Sequence, residues 1–118
     1  MVKKIEQKQM IDMNIMHAVF GTNSTAMKEY IELYVAHTIE TLNHIKKCAE
    51  NKDNELILKY FHQIKGSSGS SGFKKIYSIC EKGEQKTYSF DWESVSCCCN
   101  EIEHLLDKLK LELKKKFK

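Results

Sequence analysis

Apolar side chains recur along this chain at three- and four-residue intervals almost throughout, the period of an α-helix lying on a core. Ile11, Ile15, Val19 and Phe20 fall on one side of a first short segment, which predicts a helix over about Ile11 to Phe20. GTNST interrupts the pattern, and Asn23 or Ser24 is placed to cap the next helix. This second predicted helix is long, about Thr25 to Glu50. Its stripe is Met27, Tyr30, Ile31, Tyr34, Val35, Thr38, Leu42, Ile45 and Cys48. NKDN then reads as a turn, with Asp53 as the N-cap of a third helix over about Asn54 to Ser70 that Gly72 ends. A fourth helix is predicted over about Lys74 to Lys86, with Ile76, Ile79 and Cys80 inward. TYSFD connects it to a fifth, over about Trp92 to Lys115, whose stripe is Trp92, Val95, Cys98, Cys99, Ile102, Leu105, Leu106, Leu109 and Leu113. No strand-like alternation, repeat or linker interrupts this order. Short connections between amphipathic helices favour antiparallel neighbours. The expected fold is therefore all-α: one domain over residues 1–118, an up-down four-helix bundle with a short additional N-terminal helix.

Composition agrees with long helices. The 118 residues include no proline, and 30% are charged; a chain of this length can bury a core without disulfides. All nineteen basic residues are lysine and the formal net charge is +3. Without arginine there is no bidentate fork for phosphate or guanine. Much of the excess sits in KLKLELKKKFK at the end of the chain, where lysines complement a helix dipole. That patch is small and lacks interleaved aromatics, which argues against a nucleic-acid or membrane partner. The N-terminal MVKKIEQKQM has no apolar leader core, and no apolar run is long enough to span a bilayer, so a soluble, cytoplasmic protein is expected. Five cysteines, an odd number, fit reduced thiols better than a disulfide framework.

Cys97, Cys98 and Cys99 are adjacent, so on a helix they point about 100° apart and cannot converge on one metal ion. Cys98 and Cys99 read as small core residues. His44 and Cys48 are four residues apart, with His37 one heptad earlier. That spacing puts two or three metal-ligand types on one face, but no carboxylate is obvious behind them to orient the ligands, and no metal is expected. His17 and His104 read as surface residues.

The stretch YFHQIKGSSGSS, residues 60–71, places several poor helix formers inside a predicted helix. On a helical wheel Leu56, Ile57, Tyr60, Phe61, Ile64, Ser67, Ser68 and Ser71 make a broad inward side. His62, Lys65, Gly66 and Gly69 share another face at i, i+3, i+4 and i+7. An exposed imidazole there is a nucleophile able to take a phosphoryl group on a ring nitrogen. A lysine one turn on would offset the charge of the transferred oxygens. The missing side chain at Gly66 would let another protein's active site come close. The inward serines would let neighbouring helices approach, their hydroxyls bonding the i−4 carbonyls. A surface histidine on a loose Gly/Ser-rich helix end has the same spacing, and spacing alone leaves both readings open.

His62-Gln63-Ile64-Lys65-Gly66-Ser67-Ser68, followed by Gly72, resembles the signature of histidine-containing phosphotransfer (HPt) domains, His-x-(Leu/Ile)-Lys-Gly-(Ser/Ala)-(Ser/Ala). The resemblance extends over nearly the whole chain. Ile11–Phe20 and the Phe20-Gly21 break are similar to the family's first helix. Asp53 and Leu56 precede the histidine at a similar spacing, and Ile76, Cys80 and Glu84 resemble a stretch of the family's next helix. Gly83 departs from it, standing where the family carries an apolar residue, so a kinked or short fourth helix is expected. That helix also offers no arginine to a phosphate.

The resemblance implies a phosphorelay protein. His62 would be the phosphoacceptor, Lys65 would position or neutralise the phosphate, and Gly66 would mark the closest approach of a partner. Gln63 and Gly69 would contact that partner, and Ile15, Met16 and Phe20 of the first helix would either join the docking surface or cover the end of the bundle. The partner would be a receiver domain of a response regulator or hybrid kinase, carrying a phosphoryl-aspartate and supplying the Mg²⁺; the chain would need no cofactor of its own. A monomer is expected. No glycine-rich nucleotide-binding segment is present, which argues against an autophosphorylating kinase fragment. The alternative is a non-catalytic helical adaptor that docks a receiver or other signalling partner without transferring phosphate.

Overall fold

The computed structural model describes residues 9–117; the first eight residues of the polar N-terminal stretch and Lys118 of the lysine-rich tail lie outside them. Among the described residues five helices succeed one another: α1 Met13–Phe20, α2 Ser24–Glu50, α3 Asn54–Ser71, α4 Lys74–Tyr88 and α5 Trp92–Lys116. The same residues include no strand. The helix starts are written locally in the sequence. The side chains of Asp12, Asn23, Asp53 and Asp91 each accept backbone N–H groups of the first turn of α1, α2, α3 and α5, satisfying donors that have no partner inside the helix. α1 begins two residues later than its apolar pattern predicts, because Asp12 caps it and Ile11 lies before the cap.

The end of α3 is closed by Gly72 in the left-handed region at φ 82°. The Phe73 N–H donates to the Ser68 carbonyl at 2.9 Å, and the Gly72 N–H to the Gly69 carbonyl at 3.3 Å, the paired bonds of a Schellman closure. Glycine is needed there twice over. A β-carbon would be strained by the positive φ and would lie 2.5 Å from Cδ1 of Ile15. Through that contact α1 sits on the α3–α4 turn. The segment leading into α1 is tied to α5: the N–H groups of Met10 and Ile11 donate to the two carboxylate oxygens of Glu112 at 2.7 and 2.9 Å.

α2, α3, α4 and α5 form a closed ring of four, each packing on the helices next to it, α2 against α3 and α5, α4 against α3 and α5. The up-down bundle with an added N-terminal helix is thus the observed fold. Phe61 and Ile57 of α3 meet Ile31, Leu42 and Ile45 of α2, Ile76 and Cys80 of α4, and Val95, Cys99, Ile102 and Leu106 of α5 in one buried core. Each such side chain contributes about 1.5–3 kcal/mol by leaving water.

The inward faces are narrower than the apolar pattern predicts. Val19 and Leu56 are exposed, as is Ser67, whose hydroxyl donates to the Ile64 carbonyl at 3.1 Å. A wheel groups residues over a wide arc, whereas two packed cylinders bury only the line where they touch. The buried serines also bond differently from the expected i−4 pattern. Ser68 pairs with the Tyr34 hydroxyl at 2.6 Å and Ser71 with that of Tyr30 at 2.5 Å. Small residues on α3 let α2 come close, and the phenols of α2 satisfy their hydroxyls.

α4 is neither short nor interrupted at Gly83; it runs two residues past its expected end. A β-carbon at Gly83 would lie 2.6 Å from Cζ of Phe61. The glycine makes room for a ring of α3 that is itself wholly buried. Thr87 bonds back to the Gly83 carbonyl at 2.7 Å.

Candidate functional site

His62 lies in the middle of α3 on the side turned away from the core, with about three quarters of its side chain exposed. Its neighbours Phe61 and Ile64 are buried and anchor the turn that carries it. Nδ1 of His62 is 3.8 Å from Oε2 of Glu84 on α4, and Nζ of Lys65 is 2.7 Å from Oε1 of the same carboxylate. One carboxylate thus serves both His62 and Lys65 of α3, and it is largely shielded from solvent. With Nδ1 turned to Glu84, Nε2 is on the opposite side of the ring. Lys65 also lies over the ring of Tyr77, 5.9 Å from its centroid. The hydrogen bond to Glu84 raises the Lys65 pKa against the opposing effect of burial, so the side chain is an ammonium throughout the neutral range.

Gly66 is exposed, and a β-carbon there would meet nothing within 4 Å. The surface beside His62 is therefore open to an incoming molecule. Gly69 is exposed too, but the space left by its missing side chain is used from within: a β-carbon would lie 3.3 Å from the ring of Tyr77. Gln63 is exposed on the α2 side of His62, in a shallow groove shared with Leu33, His37 and Ser67.

The residues of α1 divide. Met16 is buried and has no surface to offer a partner. Ile15 is half-buried against Gly72, and Phe20 is half-buried with its ring 5.3 Å from that of Tyr30. Val19 presents its side chain to solvent instead. The structure brings His62, Lys65 and Gly66 together on one face and adds Glu84 and Tyr77, which sequence reasoning did not place in the site. A signal for Glu84 was present. It comes four residues after Cys80, on the flank of the α4 stripe that faces α3.

A model of the Hpt domain family matches residues 29–112. The chain belongs to the Hpt domain family. No match was found among curated proteins or among solved structures. The family fixes the broad function: Hpt domains carry phosphoryl groups on histidine in phosphorelays and interact with receiver domains. The match spans α3, with its exposed histidine, and most of the four-helix ring.

The other chemistry-bearing residues fall elsewhere. Among the described residues no three His, Cys, Asp or Glu side chains gather as metal ligands do; His44 stacks on Tyr60 at 5.4 Å between ring centroids. All five cysteines are free. Cys98 and Cys99 are buried and Cys97 is exposed. Burial pushes the thiols of Cys80 and Cys99 up to about 12, which leaves them protonated and unreactive. Among the described residues no helix is long and apolar enough to cross a membrane.

Proposed function

We propose that this Hpt domain is a phosphorelay intermediate in which His62 accepts a phosphoryl group from the aspartate of one receiver domain and passes it to another. The observation that carries the reading is the exposed imidazole whose Nδ1 faces a carboxylate, 3.8 Å from Glu84, while that carboxylate holds Lys65 at 2.7 Å. A carboxylate on that side favours the tautomer with the proton on Nδ1 and leaves the Nε2 lone pair outward.

Transfer is an in-line displacement. Nε2 attacks phosphorus as the bond to the aspartyl oxygen breaks, and the aspartate leaves as a carboxylate. The imidazolium that forms keeps its proton on Nδ1, where Glu84 offsets the charge until water takes the proton. The phosphoryl oxygens compete with Glu84 for the Lys65 ammonium, which neutralises part of their charge. Reversal of the same steps hands the group to a second receiver. The receiver supplies the Mg²⁺, and the bundle supplies the positioned imidazole. Gly66 gives the partner its closest approach, and Gln63 and Leu33 offer contacts beside it.

The test is to mix the purified chain with a phosphorylated receiver domain and Mg²⁺. An acid-labile, base-stable phosphate is expected on wild type and absent from His62→Gln. A His62→Gln protein that still binds the receiver and still sustains signalling output would replace this reading with that of a docking adaptor.

A further inference from the structure

Lys65 is held from two directions by one helix. Tyr77 and Glu84 are seven residues apart on α4 and so lie on the same face, two turns from one another. Glu84 takes the ammonium at 2.7 Å, and the Tyr77 ring lies 5.9 Å from it. The ring itself is fixed by α3. It packs into the gap at Gly69, one turn beyond Lys65, where a β-carbon would come within 3.3 Å of it. Gly69 thus seats an aromatic ring under the lysine.

The two holds differ in kind. The carboxylate is an anion, and a phosphoryl group on His62 would compete with it for the same cation. The ring attracts the ammonium through its quadrupole, whichever anion the ammonium is paired with. A lysine side chain otherwise has much rotamer freedom to lose on being fixed. An aromatic face that keeps hold during the exchange of anions spares the ammonium an excursion into solvent.

We infer that Tyr77 is a positioning residue for phosphoryl transfer: seated in the gap left by Gly69, its ring keeps the Lys65 ammonium beside His62 while that ammonium passes from Glu84 to the phosphoryl oxygens. The inference rests on the phosphotransfer reading above.

The experiment measures the rate of phosphoryl acceptance by the full chain from phosphoramidate, a small donor that needs no docking, and from a phosphorylated receiver with Mg²⁺. With phosphoramidate the P–N bond of the donor breaks as the Nε2–P bond forms, and ammonia leaves. Tyr77→Leu is expected to slow both reactions about two- to fivefold, the size of an exposed cation–π contact. Tyr77→Phe keeps the ring face and should keep the wild-type rate. In a Lys65→Met background, Tyr77→Leu should have no further effect. Tyr77→Met serves in its place if the leucine variant fails to fold. Wild-type rates in the ringless variants would overturn the inference, as would equal slowing with and without Lys65, or a phenylalanine variant as slow as leucine. A wild-type chain that takes phosphate from neither donor overturns the phosphotransfer reading itself, and the inference falls with it.

Discussion

Gly83 of α4 and Phe61 of α3 form a matched pair, the absence of a side chain on one making the space that the ring of the other fills. A β-carbon on Gly83 would fall within 2.6–2.9 Å of three atoms at the end of that ring. Phe61 has no solvent-exposed surface, so the ring has nowhere to move. Two effects oppose each other in Gly83→Ala. Alanine improves helix propensity by about 1 kcal/mol, and overpacking a filled core costs about 1–3 kcal/mol. Three clashing atoms on a trapped ring favour the upper part of that range, so a net loss of about 1–2 kcal/mol is expected in urea unfolding. Gly83→Ala with Phe61→Leu should cost less than the two changes summed. An alanine variant as stable as wild type would show that the ring is free to move.

That pair also marks the limit of what the sequence discloses. Helix order was legible because its signals are local: asparagine at the start of α2, aspartate at that of α3, glycine at the end of α3, and a stripe of helical period between them. His62, Lys65 and Gly66 were legible for the same reason, since i, i+3 and i+4 share a face of any helix. What was not legible depends on how one helix meets another. Gly83 reads as a helix breaker until the ring it accommodates is known. Glu84 belongs to a stretch similar to the family's, but its place beside His62 and Lys65 emerges only when α4 is laid on α3. Val19 and Leu56 read as core because apolar identity does not say where the line of contact between helices falls.

Gly66 should respond to substitution in the opposite way to Gly83. It is exposed inside a helix, with nothing within 4 Å of a would-be β-carbon. Gly66→Leu should therefore keep or raise stability, by up to about 1 kcal/mol. The same side chain would stand where a receiver must approach His62. Transfer from a phosphorylated receiver should fall at least about tenfold, equivalent to about 1.4 kcal/mol in the barrier, while transfer from phosphoramidate changes far less. Parallel rates from both donors would remove Gly66 from the docking surface.

The adjacent cysteines should separate sharply in reactivity. Cys97 is exposed, whereas Cys80 and Cys99 are buried with thiols pushed up to about 12. A thiolate is the reacting species, so a maleimide or disulfide reagent at neutral pH should label Cys97 within the mixing phase. Cys80 and Cys99 should react only at the rate of unfolding, and urea should release them together. Fast labelling of Cys99 in the native chain would contradict the packing of α5 against the core.

The Lys65–Glu84 pair should matter for transfer more than for stability, and pH separates the two. The hydrogen bond from Lys65 to Glu84 raises the Lys65 pKa above its ordinary 10.5. The folded chain therefore holds this proton more tightly than the unfolded chain. The stabilisation is complete below about pH 10.5 and is lost only as pH climbs through the raised folded value. Ion pairs at partly exposed sites contribute about 0–1 kcal/mol. Glu84→Gln should thus cost no more than about 1 kcal/mol in urea unfolding at neutral pH, with a cost that shrinks in strong alkali. Its effect on His62 should be larger. The glutamine side chain cannot offset charge on Nδ1 and leaves Lys65 with a neutral partner, so phosphoryl acceptance should slow by about tenfold, or about 1.4 kcal/mol. Unfolding and transfer measured on the same preparation decide the matter. A variant that is clearly less stable yet transfers at the wild-type rate would make Glu84 a strut between α3 and α4 and nothing more.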